Sequence, residues 1–301
     1  MRSILKWFTC KFIIALQKRY LDNKTKRAKQ SIIKMSRFSP QLTGAHALVT
    51  GGTKGIGRVI VENLLSEGVS VSYCSRNVRG DEFATFKDAT GGARAVGTSV
   101  DISNAASIQG WVKASAEDFG RIDLVVANAC PKYVSPSIED WEKSFHADVL
   151  GLVHLINASE PHLEKRNGTG SIVVISSLAG FEARHPAIRG PYTTLKRAQA
   201  TLAKDFGRWL GPKGIRINTI VPGTIDSPPV DKPDGTVELS QFQQIMTANP
   251  DFLKSLIDSI PLGKVGQAQD IANAVVFLGS SLGKYVNGVN LIVDGGMSTA
   301  L

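Results

Sequence analysis

The sequence predicts an α/β protein of the doubly wound type, with one parallel sheet covered by helices on both faces. From Leu42 onward, short apolar runs alternate with segments of helical periodicity, and this alternation is typical of parallel strands joined by helical crossovers. The runs are apolar along their whole length, as burial on both faces of a sheet requires. With 301 residues and 43% hydrophobic side chains, the chain can form one such domain with a sizeable core.

Seven apolar runs are expected to form the strands of this sheet. They are Ala45–Val49, Val69–Ser75, Ala95–Val100, Leu124–Ala127, Ser171–Ile175, Ile215–Val221 and Val289–Val293. The first helix is expected over 55–67, where apolar residues recur at helical spacing. A long helix is expected to follow Trp141. The tryptophans Trp111, Trp141 and Trp209 are interpreted as packing residues on helices.

The stretch 226–260 interrupts the alternation of strands and helices. It contains four prolines and a charged run, and a short helix is expected near 251–258. Such a length is unusual for a plain connection, and long segments at the carboxyl end of a sheet often cover a site. We therefore expect a lid-like insertion over about 226–260.

The net charge of +9 is confined to the N-terminal segment. Residues 1–34 hold ten Lys or Arg and one acid, which leaves 25 basic and 25 acidic side chains in residues 35–301. The predicted domain is therefore neutral, and its composition offers no basic face for nucleic acid. No apolar run in the basic segment approaches the ~20 residues of a membrane span.

Three interpretations of the basic segment stay open. It is a disordered or peripheral extension, a weak membrane-surface anchor, or an organelle-targeting peptide. We predict an extension over 1–37 and a single domain over 38–301. The three cysteines Cys10, Cys74 and Cys130 do not have the spacing of a metal site or a disulfide framework, so we expect no metal and a reducing, cytoplasmic location.

A glycine-rich turn joins the first predicted strand to the first predicted helix. Its residues are Thr50, Gly51, Gly52, Thr53, Lys54, Gly55, Ile56 and Gly57. Glycines at such a junction let the backbone approach a pyrophosphate, and the helix N-terminus offers free N–H groups. The turn therefore indicates a dinucleotide site. The alternative is a tight turn that needs glycine for steric reasons only.

The end of the second predicted strand indicates which dinucleotide is bound. An acid at this position would accept a hydrogen bond from the ribose 2′-hydroxyl, whereas an arginine accommodates a 2′-phosphate. The position holds Arg76, and Lys54 lies on the same side in the glycine-rich turn. Two cations without an acid favour NADP(H) over NAD(H), unless both are ordinary solvated charges.

A tyrosine and a lysine open a predicted helix after the fifth strand. Tyr192 and Lys196 are four residues apart and therefore share a helix face. A free phenol ionises near pH ~10, but an adjacent ammonium stabilises its phenolate. The pair can therefore exchange a proton with a carbonyl that receives hydride. Ser177, at the end of the fifth predicted strand, can hydrogen-bond the developing oxyanion.

Six short motifs together resemble the short-chain dehydrogenase/reductase family over residues 42–301. They are the glycine-rich turn, Asn128-Ala129-Cys130, Ser176-Ser177, the Tyr192/Lys196 helix, Pro222-Gly223 and Val293-Asp294-Gly295-Gly296, in the family's order. The resemblance implies a single Rossmann-type domain with a seven-stranded parallel sheet of order 3-2-1-4-5-6-7. It also implies hydride transfer between a nicotinamide and a carbinol carbon, and a homodimer or homotetramer. Ser75-Arg76-Asn77 is similar to NADPH-using members such as the tropinone reductases.

The resemblance also implies roles for individual residues. Those that would bind the cofactor are Thr50, Gly51, Thr53, Lys54, Gly55, Ile56, Gly57, Arg76, Asp101, Asn128, Tyr192, Lys196, Pro222, Gly223, Ile225 and Ser227. Within this set, Asp101 would meet the adenine amino group, Asn128 the adenosine ribose and Ile225 the nicotinamide carboxamide. Those that would act in catalysis are Ser177, Tyr192, Lys196 and, in place of the family's catalytic asparagine, Asp148.

Three features depart from the family pattern. Cys130 stands where the family has glycine, and Asp148 stands where it has asparagine. Ser177 and Tyr192 are fifteen residues apart, slightly more than is usual. The family's asparagine helps to hold a water that links the lysine to solvent, whereas the charge of Asp148 could pair with Lys196. These departures leave open a protein that binds NADPH but has little or repurposed activity.

The sequence as a whole predicts an NADP(H)-dependent oxidoreductase that interconverts a ketone and a secondary alcohol. Tyr192 is expected to act as the general acid or base. The segments 181–191 and 226–260 are mostly apolar or neutral, which favours a medium-sized, hydrophobic substrate such as a secondary-metabolism intermediate. The identity of that substrate does not follow from the resemblance.

Overall fold

The computed structural model of the chain describes residues 40–79, 83, 92–131, 135–166, 168–182, 190–231 and 235–299. The chain divides into two units, residues 1–39 and 40–301, and all described residues belong to the second. The predicted extension over 1–37 lies outside the described residues, so its boundary and its three interpretations stay predictions. Among the residues described, no helix is long and apolar enough to cross a membrane.

One parallel sheet forms the centre of the domain. The strands in chain order are β1 His46–Thr50, β2 Ser70–Ser75, β3 Ala95–Ser99, β4 Leu124–Ala127, β5 Gly170–Ile175, β6 Ile215–Pro222, β7 Ile225–Asp226, β8 Val230–Asp231, β9 Val237–Glu238, β10 Gly266–Gln267 and β11 Asn290–Val293. Seven of them pair in the order β11-β6-β5-β4-β1-β2-β3, and all these pairs are parallel. The predicted Rossmann-type sheet and its strand order are confirmed. The order reverses between β1 and β4, where such folds have their binding crevice.

Helices cover both faces of the sheet. They are α1 Gly55–Ser66, α2 Ala105–Phe119, α3 Ile138–Ser144, α4 Gly151–Glu164, α5 Tyr192–Leu210, α6 Gln241–Ala248, α7 Pro250–Asp258 and α8 Ala268–Gly279. Successive strand residues point to opposite faces. Accordingly, Val49 belongs to the core beneath α1 and α8, whereas Leu48 belongs to the core beneath α2, α4 and α5.

The predicted long helix after Trp141 is interrupted in the structure. The chain forms α3, then a π-helical turn over Phe145–Leu150, and then α4. A π turn places one more residue in the turn than an α-helix does, and such turns are frequent at functional sites. This turn carries the buried Asp148 and packs against α5.

Trp209 differs from the packing role that the sequence predicts for it. Trp111 is buried in the core beneath α2, but Trp209 is 64% exposed. It lies on the outer face of α5, where Lys213 Nζ is 5.8 Å from its ring centroid. The prediction is wrong for Trp209 because the apolar stripe of α5 faces the sheet on the other side.

The stretch 226–260 contains more regular structure than the sequence predicts. A short antiparallel ladder joins β8 to β9, and the helix expected near 251–258 is observed as α7. The periodicity does not predict α6, which precedes it. Ser240 and Gln243 form a reciprocal capping box at the start of α6, and a serine three residues before a glutamine is the signal that could have located this helix.

A buried histidine lies at the amino edge of the sheet, away from the crevice. The His46 ring stacks on Phe119 with centroids 4.1 Å apart, and its Nε2 lies 2.9 Å from Ser72 Oγ. Its backbone N–H donates to Asp123, which also accepts from Arg121. Burial lowers the pKa of His46 to about 4, and the nearby backbone carbonyl and Asp123 offset this effect only in part.

We expect acid to destabilise the protein through His46. Its folded pKa lies below the ordinary 6.5, so this contribution is fully present above about pH 6.5 and is lost as the pH falls towards 4. The loss amounts to about 3 kcal/mol of unfolding free energy. Denaturant melts at several pH values should show a flatter profile for His46→Phe than for wild type. The exposed His146→Gln variant is the control, and an equally steep profile for His46→Phe would contradict the prediction.

Candidate active site

The glycine-rich turn after β1 is shaped by contacts that leave no room for side chains. Gly51 and Gly55 have φ angles of 71° and 61°, a region that only glycine adopts readily. A Cβ on Gly57 would lie 2.1 Å from Gly51 O and 2.4 Å from Asn128 Nδ2. The turn therefore exposes bare backbone, as a pyrophosphate site requires.

Asn128 attaches this turn to the end of β4. Its Nδ2 donates to Thr50 O at 3.0 Å and to Gly51 O at 3.3 Å. Thr50 Oγ1 accepts from the backbone N–H groups of Asn128 and Ala129, each at 3.0 Å. These bonds hold the ends of β1 and β4 together where the strand order reverses.

The start of α1 offers backbone N–H groups to a ligand. The N-cap residue Lys54 forms no capping hydrogen bond with its side chain, and the first turn carries no acid. Uncapped N–H groups and the positive end of the helix dipole attract a phosphate. Thr53 is half-buried in the turn, whereas Ile56 packs against the core beneath α1.

Two cations and an acid lie near the ends of β1, β2 and β3. Arg76 follows β2 and is exposed. Lys54 Nζ forms an ion pair at 3.1 Å with Glu238 Oε1 of the stretch 226–260. Hydrogen bonds from Ser103 lower the pKa of the Asp101 carboxyl, and the charge of Arg76 contributes to this lowering. Asp101 therefore stays an anion beside a cation.

Tyr192 and Lys196 lie together at the start of α5, as their spacing predicts. Lys196 Nζ lies 5.9 Å from the centroid of the Tyr192 ring. Ser176 Oγ donates to Lys196 O at 2.7 Å and so attaches α5 to the end of β5. The next residue, Ser177, caps a short 3-10 turn, where its Oγ accepts from Ala179 N.

Lys196 is only 3% exposed and its ammonium is held by two acceptors. Nζ donates to the backbone O of the last β5 residue and to Gln199 Oε1, both at 3.0 Å. Burial lowers the pKa of Lys196, but the charges of Cys130, Asp148 and Tyr192 outweigh this and raise it above its ordinary value. Lys196 is therefore a permanent cation beside Tyr192.

Asp148 lies on the π-helical turn, and its carboxyl contacts Cys130. Its Oδ2 accepts from Cys130 Sγ at 3.6 Å, and its Oδ1 has no hydrogen-bond partner within the described part of the chain. Burial raises the pKa of Asp148, against the opposing effects of Lys196 and Cys130. Lys196 and Asp148 do not form the ion pair that the sequence allows; the backbone carbonyl of Asp148 instead accepts from Gln199 of α5.

Gln199 belongs to this cluster although the motifs do not predict it. It is 4% exposed, and its Nε2 donates to Asp148 O at 2.8 Å. Asp148 and Gln199 also line a cavity of about 20 Å³, enough for one water molecule. A signal is present in the sequence, since Gln199 lies three residues after Lys196 and therefore on the same face of the helix.

The segment after β6 returns to the glycine-rich turn. Gly223 N donates to the backbone O of the last β11 residue at 3.0 Å, directly after Pro222 ends β6. Ile225 lies in β7, which pairs with β10. Ser227 Oγ lies 3.8 Å from the position of a Cβ on Gly55. The two predicted ends of the cofactor site are therefore neighbours.

The structure thus gathers the predicted residues at one edge of the sheet. The carboxyl ends of β1, β4, β5 and β6 carry Thr50, Asn128, Ser177 and Gly223, and the first turn of α5 adds Tyr192 and Lys196. Among the described residues, no group of His, Cys, Asp or Glu could hold a metal ion. The arrangement offers a glycine-rich turn with bare backbone at the same edge of the sheet as a phenol and an ammonium.

Known proteins resemble the chain over nearly all of the described residues. A family model described as enoyl-(acyl carrier protein) reductase matches residues 51–298. The chain is 42% identical over 261 residues to isoepoxydon dehydrogenase patN of Penicillium expansum, covering 85% of this chain and 95% of that protein. It is 32% identical over 267 residues to the 2,5-dichloro-2,5-cyclohexadiene-1,4-diol dehydrogenase LinX of Sphingobium indicum, covering 87% and 99%.

A solved structure supports the same likeness in three dimensions. The RhlG/NADP active-site complex of Pseudomonas aeruginosa has a TM-score of 0.71 with the chain at 27% identity. The match covers 85% of this chain and 97% of that one.

Proposed function

The chain belongs to the short-chain dehydrogenase/reductase family of oxidoreductases, and we propose that it interconverts a ketone and a secondary alcohol with NADP(H). The observation that carries the proposal is the buried Lys196 ammonium 5.9 Å from the Tyr192 ring. A phenol beside a held ammonium is suited to exchange a proton with an oxygen whose carbon gains or loses hydride.

The residues around the glycine-rich turn fit a nicotinamide dinucleotide. Bare backbone at Gly51 and Gly57 suits the pyrophosphate, as does the start of α1, where the Lys54 side chain forms no cap. We propose that Arg76 and Lys54 bind the 2′-phosphate and that Asp101 accepts from the adenine amino group. The structural relative from Pseudomonas aeruginosa is a complex with NADP, which supports the same choice. The bound cofactor supplies or accepts the hydride.

The side chains near Tyr192 supply the proton chemistry. In ketone reduction, Tyr192 donates its hydroxyl proton to the carbonyl oxygen while Ser177 hydrogen-bonds that oxygen. Lys196 stabilises the phenolate that is left and binds the nicotinamide ribose. In alcohol oxidation the same groups act in the opposite direction. We include Asp148 in the machinery because its charge acts on Lys196 and because it lines, with Gln199, the small cavity at this site.

The substrate we propose is a medium-sized, fairly hydrophobic ketone or alcohol. The lid-like insertion exposes apolar side chains, namely Leu239, Ile245 and Phe252. The name of the Sphingobium relative describes a diol whose hydroxyls are borne by a six-membered carbon ring. A cyclic secondary alcohol is therefore the first class to assay, and activity on small charged metabolites only would contradict the proposal.

Cofactor preference gives a direct test of this function. The full chain is expected to oxidise NADPH, and not NADH, with hydrophobic ketones. Lys54→Ala and Arg76→Ala should each raise KM for NADPH about 10-fold, because a charge-assisted contact is lost. Lys113→Ala, which removes an exposed lysine of α2, is the matched control. Equal use of NADH by wild type would overturn the assignment of both cations.

A second candidate is a protein of this fold that binds NADPH without turnover. The observation in its favour is that Asp148 and Cys130 stand together at the site, where the carboxyl is buried and its pKa is raised. Tight NADPH binding with no turnover on any ketone would select this alternative. Gain of activity in Asp148→Asn would then identify Asp148 as the cause of the missing turnover.

We further propose a cytoplasmic homodimer or homotetramer. Phe145 and Trp209 are 44% and 64% exposed and lie beside α4 and on α5, respectively. Large apolar side chains on the outer faces of these helices suit contact with a second copy. Light scattering during size-exclusion chromatography tests the assembly, and a monomer at micromolar concentration would contradict it.

A further inference from the structure

Gln199 forms a bridge between Lys196 and the π-helical turn. Its Oε1 accepts from Lys196 Nζ at 3.0 Å, and its Nε2 donates to the backbone O of Asp148 at 2.8 Å. Both polar ends of the amide are used, and the side chain is buried. A buried amide with both ends bonded has a defined orientation, because reversing it would set donor against donor and acceptor against acceptor.

The Gln199 bridge connects Lys196 to the turn that carries Asp148, whose carboxyl would attract the ammonium. Lys196 and Asp148 are near enough for their charges to act on each other's pKa, yet they form no ion pair. The Asp148 carboxyl turns to Cys130. A direct pair would place a carboxylate on the ammonium and weaken the positive potential that Lys196 exerts on Tyr192.

We propose that Gln199 is a positioning residue that holds Lys196 beside Tyr192 and keeps it from pairing with Asp148. Its amide is a neutral acceptor, so it orients the ammonium without cancelling its charge. The site thereby accommodates an acid at the place where the family has asparagine. This inference rests on the proposed function, in which Tyr192 exchanges the proton.

Two variants of Gln199 change the bridge in different ways. Gln199→Met keeps the length of the side chain and removes both hydrogen bonds, which frees Lys196 to approach Asp148. Gln199→Glu keeps the size and places a carboxylate directly on the ammonium. The charged or titratable groups that act on Lys196 are Tyr192, Cys130 and Asp148, so Asp148→Asn is the variant that removes the competing charge.

The test is the pH midpoint of Tyr192 ionisation, measured without substrate. The tyrosinate absorbance of each protein is compared with that of its Tyr192→Phe counterpart. We expect the midpoint to rise by about one pH unit in Gln199→Met and Gln199→Glu, and to return to the wild-type value in Gln199→Met/Asp148→Asn. The exposed Gln269→Met on α8 is the matched control and should leave the midpoint unchanged.

Kinetics supply the second readout. The alkaline limb of the kcat profile should shift with the absorbance midpoint, while KM for the ketone stays near its wild-type value. A lower melting temperature with an unchanged midpoint in both variants would reduce Gln199 to a structural role and overturn the inference. If Gln199→Met does not fold, Gln199→Glu carries the same test. A shifted midpoint in a protein without turnover would support the positioning role of Gln199 and refute the proposed function. Failure of the inference and failure of the proposed function are therefore distinguishable.

Discussion

Tyr192→Phe is expected to lower kcat for NADPH-dependent ketone reduction by about 10²–10⁴-fold while NADPH still binds. The substitution removes one hydroxyl from a half-buried side chain and leaves the ring beside Lys196 Nζ. The remaining site can still bind both reactants, but no group then gives the proton as hydride arrives. Steady-state rates with a hydrophobic ketone, together with NADPH fluorescence titration, measure the two effects separately.

The matched control for this variant is Tyr285→Phe, which removes the same hydroxyl from a residue that is 99% exposed. Its rate and stability should equal those of wild type. Turnover by Tyr192→Phe within a few fold of wild type would show that the proton comes from another group. The assignment of Ser177, Tyr192 and Lys196 would then fail together.

Gly57→Ala is expected to abolish useful NADPH affinity and to destabilise the fold. The new Cβ would lie 2.1 Å from Gly51 O and 2.4 Å from Asn128 Nδ2, and the first of these atoms is backbone. The turn must open to relieve the contact, which should cost about 1–3 kcal/mol of unfolding free energy, as overpacking does in cores. Opening also displaces the N–H groups that would meet the pyrophosphate. Thermal melts and NADPH titration report the two consequences.

Gly110→Ala provides the control for this substitution. Gly110 lies inside α2, and a Cβ on it would meet nothing within 4 Å. Alanine there should raise the unfolding free energy by about 0.5–1 kcal/mol without changing NADPH affinity. If Gly57→Ala bound NADPH as wild type does, the glycine-rich turn would not be the pyrophosphate site.

The sheet could be predicted because its signals are local. Apolar runs at strand spacing, joined by helical periodicity, predict each element from a few neighbouring residues, and the crossovers predict that the strands are parallel. The strand order follows from the family resemblance. Interruptions of a helix are harder to predict. The π turn over Phe145–Leu150 has no periodicity of its own, and only packing against α5 shows where the extra residue is accommodated.

The candidate site likewise has some features that local sequence predicts and others that it does not. The adjacency of Tyr192 and Lys196 follows from one helical turn, and the glycine-rich turn follows from the residues that join β1 to α1. Asp148 could be recognised as a departure from the family pattern, but the direction of its carboxyl could not. The rotamer that a side chain on one helix adopts depends on the neighbouring residues of other elements.

By itself, the sequence determined the fold class, the strand order through its family resemblance, the place of the glycine-rich turn and the Tyr192/Lys196 pair. Only the tertiary structure decided that Gln199 bonds both Lys196 and Asp148, and that Lys54 meets Glu238 of the stretch 226–260. The reason is physical. Contacts within one turn or junction are fixed by local backbone geometry, whereas Gln199 and Asp148 are 51 residues apart and Lys54 and Glu238 are 184 apart. Their meeting depends on how the completed elements pack.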